Sequence, residues 1–138
     1  MKNRRHFIKT GLAATFGVAV AAPLLGQNHK SLTKLDFPGL IYTRENQGMW
    51  KNKAESHLPQ IKIDGGKITL TTNHGMSETH YIVRHTLVDS NGKVIGTKTF
   101  YPTDEPVSTY TLPEGYKGTL YATSFCNKHD FWVNEFKV

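Results

Sequence analysis

The feature that most constrains the fold of this 138-residue chain is a series of short alternating runs that begins at Leu58. Residues 61–63 and 68–70 are two such runs, and the sequence Asp-Gly-Gly-Lys at 64–67 between them is typical of a hairpin turn. Successive side chains of a strand point to opposite faces, so alternation places one face of each strand in a core. No helical period competes with this pattern after the first 27 residues, and the pattern predicts an all-β domain.

The same pattern continues to the end of the chain. Residues 81–88 and 94–101 flank the sequence Asp-Ser-Asn-Gly at 89–92, which predicts a second hairpin. Further strands are predicted over residues 107–112, 119–125 and 131–136. About seven short strands at this spacing favour an antiparallel β-sandwich of immunoglobulin-like type.

The segment that precedes these strands is less regular. Residues 28–56 contain turn signals but no sustained period, and we expect an irregular lead-in with one short strand around residues 40–43. The folded sandwich domain is expected over residues 57–138.

The first 27 residues have the layout of a bacterial export signal. A basic start with the pair Arg4-Arg5 precedes an apolar run over residues 11–26, which is rich in Ala and Gly. That run is short for a bilayer, which takes about 20 apolar residues. We therefore expect a cleaved twin-arginine signal and a periplasmic protein, with an uncleaved tether as the alternative. This route carries folded proteins and is used by many that acquire a cofactor first, which favours a bound metal.

The basic charge of the chain belongs mainly to this signal. The chain has 17 Lys and Arg against 11 Asp and Glu, a formal net charge of +6. Removing Lys2, Arg4, Arg5 and Lys9 leaves 13 basic against 11 acidic residues, a net charge of +2. No basic cluster with interleaved aromatic residues is present, so the sequence argues against a nucleic-acid partner.

The residues that carry chemistry are histidines and the single cysteine. Cys126 is the single cysteine of a chain that we expect to enter an oxidising compartment. Such a cysteine is a buried apolar residue, part of an intermolecular disulfide or a metal thiolate. The number of cysteines alone favours the buried apolar role, because free cysteine is among the most buried residue types. The histidines that also fall at turns or strand edges are His57, His74, His80 and His129. For the remaining histidines, among them His85, we expect a surface position or a satisfied hydrogen bond.

Three motifs in this part of the chain resemble a known family. They are Glu55-Ser56-His57-Leu58-Pro59, His74-x5-His80-Tyr81-Ile82 and Cys126-Asn127-x-His129-x-x-Trp132. In order and spacing, over roughly residues 50–138, they resemble the iron-binding domain of superoxide reductases, the neelaredoxins and desulfoferrodoxins. The resemblance implies an immunoglobulin-like sandwich with one mononuclear iron on surface loops. By the same resemblance His57, His74, His80 and His129 are the equatorial ligands and Cys126 is the axial ligand.

The resemblance also implies an activity. It is the one-electron reduction of superoxide to hydrogen peroxide, with an external electron donor and with a homodimer or homotetramer as possible assemblies. Glu55 is expected to be the mobile carboxylate that caps the open iron position. One residue departs from the pattern, since Ser56 stands where the family commonly has a lysine that attracts superoxide. The alternative function is therefore an exported iron-binding electron-transfer or redox-sensing protein without fast superoxide turnover. The cysteine-rich iron domain of desulfoferrodoxins is not found, and we expect the one-iron type.

Overall fold

The computed structural model describes residues 37–138, and the predicted export signal lies outside the described residues. The strands are β1 (Ile41–Tyr42), β2 (Gln60–Asp64), β3 (Lys67–Thr71), β4 (Ile82–Asp89), β5 (Val94–Thr99), β6 (Val107–Thr111), β7 (Thr119–Cys126) and β8 (Asp130–Lys137). A 3-10 helix, Gly48–Trp50, and a one-turn α-helix α1, Ala54–His57, precede β2. None of the described helices has the length and apolar character needed to cross a bilayer.

The strands form two sheets. One has the order β1-β8-β7-β4-β5 and the other has the order β2-β3-β6. All neighbours are antiparallel except β1 and β8, which run parallel. The predicted immunoglobulin-like antiparallel sandwich is confirmed. The seven predicted runs are β2 to β8, and the short strand predicted in the lead-in is β1.

The lead-in contains two helical turns that the sequence did not predict. Gly48–Trp50 and Ala54–His57 span three and four residues. Elements this short show no repeat of the 3.6-residue period, so the hydrophobic pattern carries no sign of them. The second turn matters because its last residue, His57, is a predicted ligand.

The core lies between the sheets and follows the alternation of β7. Leu120, Ala122, Ser124 and Cys126 point inward and are buried, while the residues between them are partly exposed. Leu120 packs with apolar residues of β3, β4 and β6 in the main core cluster. Burial of one such leucine contributes about 1.5–3 kcal/mol relative to an exposed position. The same inward row brings Cys126 to the end of the strand, where the core meets the loops.

His85 is buried in this core and is hydrogen-bonded on both sides. Its Nε2 lies 2.8 Å from the Thr72 hydroxyl, and its Nδ1 lies 2.9 Å from the Ser108 hydroxyl of the opposite sheet. The Thr72 hydroxyl in turn donates to the Ser124 hydroxyl at 3.2 Å. The pKa of His85 is lowered to about 4, chiefly by burial and in smaller part by the nearby charge of Lys98. The satisfied hydrogen bonds expected for this histidine are therefore present, and its imidazole is neutral.

Candidate metal centre

Five predicted ligand residues come from separate places in the chain. His57 ends α1, and Cys126 ends β7. His74 and His80 lie on the connection between β3 and β4, and His129 lies in the turn between β7 and β8. The fold brings them together, since one ligand atom from each residue lies within 4.8 Å of all the others.

The four imidazoles form a square. His57 Nε2 lies 2.9 Å from His129 Nδ1, which lies 3.1 Å from His80 Nε2. His80 Nε2 in turn lies 3.1 Å from His74 Nε2. Neighbouring rings stand nearly perpendicular, at 72° to 89°, while the rings of His57 and His80 across the diagonal are 6.3 Å apart and stacked. A square of this size has its centre about 2.1 Å from each corner, which matches a metal–imidazole bond.

The cysteine sulfur lies on one face of this square. Cys126 Sγ is 3.7 Å from His129 Nδ1 and 3.9 Å from His74 Nε2, which are opposite corners. These nearly equal distances, with all five donor atoms within 4.8 Å of one another, place the sulfur out of the plane of the square and about 3 Å from its centre. A shift of less than about 1 Å brings it to the roughly 2.3 Å of a metal–thiolate bond. The donor set of four imidazoles and one thiolate therefore fits a single transition-metal ion.

The surroundings of the site lower the pKa of all four imidazoles. The pKa of His57 is lowered to about 4, chiefly by burial and in smaller part by repulsion from the three other histidines, while the hydrogen bond to the Lys53 carbonyl opposes the shift. Burial also lowers the pKa of each of the others, His74, His80 and His129. A lowered pKa favours the neutral imidazole, which offers a lone pair to a metal and does not repel the cation.

Comparison with known proteins assigns the family. The sequence model described as Desulfoferrodoxin matches residues 49–135, well over half of the chain. This chain belongs to the desulfoferrodoxin family. The matched range includes Glu55 and all five predicted ligands, and the family resemblance predicted from the three motifs is confirmed. No curated protein sequence matches the chain.

Several of the solved structures similar to this desulfoferrodoxin-family chain are superoxide reductases. The superoxide reductase (neelaredoxin) from Ignicoccus hospitalis is 28% identical with a TM-score of 0.60, over 74% of this chain and 96% of that chain. A variant of the same protein gives 28% identity and a TM-score of 0.65, over 74% and 95%. The superoxide reductase (1Fe-SOR) from Giardia intestinalis is 25% identical with a TM-score of 0.55, over 61% and 99%.

In this desulfoferrodoxin-family chain, the tautomer of His57 is set by the helical turn. Its Nδ1 donates to the carbonyl oxygen of Lys53 at 3.0 Å, which leaves the lone pair on Nε2, the atom that faces the square. Ser56 supports the same arrangement, because its hydroxyl lies 2.8 Å from His57 Nδ1 and donates to the Lys53 carbonyl at 3.2 Å. Hydrogen bonds to the outer nitrogen orient a ligand imidazole and tune its basicity. Ser56 thus contacts the back of a ligand and brings no positive charge.

The Cys126–His129 turn is fixed by its own contacts. Asn127 accepts from the Tyr81 amide at 3.0 Å and donates to the Thr79 carbonyl at 3.1 Å, which ties this turn to the loop that carries His80. The Lys128 amide donates to Cys126 Sγ at 3.5 Å. The indole of Trp132 is fully buried and donates to the His129 carbonyl at 2.8 Å. Each of these contacts holds a ligand in place without a metal.

Glu55 lies beside the ligands but is held elsewhere. Its carboxylate forms an ion pair with the guanidinium of Arg44, and the side chain is 76% exposed. Sequence reasoning missed Arg44, because it lies in an irregular segment where no period or motif marks it. The Lys53 carbonyl was missed for a different reason, since backbone groups carry no sequence signal beyond the turn that presents them.

Proposed function

We propose that this chain is a superoxide reductase with one iron held by His57, His74, His80, His129 and Cys126. The observation that supports it most strongly is the square of imidazoles with the Cys126 sulfur on one side only. The ligand-type group contains no sixth residue among residues 37–138. Such a donor set would leave room for a small anion on the face of the square that the sulfur does not occupy.

Iron in this site would supply one electron to superoxide, which leaves as hydrogen peroxide after taking up two protons. The chain contributes the environment for this chemistry. The Lys128 amide hydrogen bond at 3.5 Å stabilises negative charge on the Cys126 sulfur. Glu55, two residues from His57 on the same helical turn, is proposed to cap the open position reversibly.

Ser56 carries no charge, so other residues must attract the superoxide anion. Burial is the largest cause of the lowered pKa values of His80 and His129. The positive charges of Lys53 and Lys128 lower both pKa values as well, so the two lysines lie close to the square. We propose that these two lysines supply the positive field that draws superoxide to the site. The substitution at Ser56 is also the observation that favours the second candidate, an iron-binding electron-transfer or redox-sensing protein.

The location is proposed as the periplasm, reached through the twin-arginine pathway. The Arg4-Arg5 pair before an apolar run supports it, and the single Cys126 is compatible with it as a metal ligand. A thiolate bound to a metal is protected from the disulfide exchange that an oxidising compartment favours. The electron donor is then an external reductant in that compartment.

Metal analysis tests the identity of the site. The full chain, expressed in a cytoplasm with iron supplied, is expected to contain about one iron per chain and a thiolate-to-iron charge-transfer band. A chain that carries only zinc, and that iron cannot reconstitute, would contradict the proposal.

A further inference from the structure

The ion pair between Arg44 and Glu55 joins two segments that are each held by other contacts. Arg44 lies in a turn closed by two hydrogen bonds between Thr43 and Asn46, each 3.0 Å long. The carbonyl of Arg44 also accepts from the Gln47 side chain at 3.2 Å. The turn fixes the backbone of Arg44, and from this position its guanidinium reaches Glu55 on α1.

Glu55 is placed to move while its helix stays fixed. On α1 the residues Ala54 and His57 are buried, so the turn is anchored on its inner side. The Glu55 side chain is 76% exposed and that of Arg44 is 56% exposed. An exposed carboxylate changes rotamer without disturbing the core, and an exposed ion pair is easily exchanged for another partner.

We propose that Arg44 is a positioning residue that holds the Glu55 carboxylate in this ion pair, in competition with the metal. The inference rests on the proposed function, in which Glu55 caps the open position. Arg44 then sets how often that position is free for an incoming anion. Exposed ion pairs of this kind change an equilibrium by between about 1.4-fold and 5-fold. That range suits a cap that must be released easily.

Azide binding to the oxidised, iron-loaded full chain measures this competition without superoxide turnover. Arg44→Ala is expected to weaken azide binding by about 1.4-fold to 5-fold, because the freed carboxylate occupies the position more often. Arg44→Lys is expected to retain part of the wild-type affinity. Arg84→Ala is the matched control, since Arg84 is also exposed but lies on β4. It is expected to leave azide binding unchanged.

A double-mutant cycle with Glu55→Gln separates movement of the carboxylate from simple charge. The direct effect of the Arg44 charge on azide is the same in both backgrounds, so it cancels in the cycle. The inference predicts that the effect of Arg44→Ala is larger with Glu55 than with Gln at position 55. It also predicts that Arg44→Ala shifts the charge-transfer band of the oxidised protein only when Glu55 is present. Equal effects in both backgrounds, or no effect in either, would overturn it.

The ion pair itself is tested by nuclear magnetic resonance on the full chain prepared without added metal. The Arg44 guanidinium nitrogen resonance is expected to move in Glu55→Gln, and an unchanged resonance would overturn the inference. A different pattern would contradict the proposed function. The Arg44 resonance and the azide cycle would then behave as predicted, but superoxide would not oxidise the iron.

Discussion

Acidification is expected to destabilise the domain through His85, the neutral imidazole in the core. Its pKa is lowered from 6.5 to about 4, chiefly by burial. Unfolded chains bind a proton on this residue at higher pH than folded ones do, so stability falls as the pH falls below 6.5. The loss is complete near the folded pKa of about 4. From the two pKa values, about 2 kcal/mol of unfolding free energy is lost between pH 7 and pH 5.

Urea unfolding of protein prepared without metal, at both pH values, measures this loss. His85→Gln is the informative variant, because an amide bonds to the Thr72 and Ser108 hydroxyls but takes up no proton in this range. His57 and the other lowered histidines titrate in both proteins and cancel in the comparison. Wild type is expected to lose about 2 kcal/mol more than His85→Gln. Equal losses in the two proteins would refute the buried, neutral state of His85.

Three other sets of substitutions are expected to affect separate parts of the protein. Cys126→Ser should abolish the charge-transfer band, while circular dichroism shows the sandwich retained, since one buried sulfur is replaced by a smaller hydroxyl. Ser56→Lys should raise the rate of iron oxidation by superoxide, within the roughly 10-fold to 1,000-fold range of electrostatic steering and most clearly at low salt; equal rates and salt slopes would mean that Lys53 and Lys128 suffice. Replacement of Arg4 and Arg5 by Lys should trap the protein in the cytoplasm, and fractionation that still finds it exported would point to another route.

The sequence predicted the strands because each carries its own alternation. β7 is the clearest case, since every second residue from Leu120 to Cys126 is buried. The sequence also predicted which residues form the candidate site, because four histidines and a lone cysteine at strand ends match the spacing of a family, and the structure brings these five together. What the sequence did not predict are contacts between distant segments without a pattern, such as the pairing of Arg44 with Glu55 and of His85 with Ser108. These depend on how the sheets and loops meet, which local periodicity does not encode.

Pulse radiolysis of the reduced, iron-loaded full chain tests directly whether this protein is a superoxide reductase. Superoxide is generated in a known amount, the iron absorption is followed in time, and hydrogen peroxide and dioxygen are measured. We predict that iron oxidation is first order in superoxide, and that each superoxide consumed yields one hydrogen peroxide without release of dioxygen. Iron that superoxide does not oxidise, or dioxygen released together with the peroxide, would contradict it.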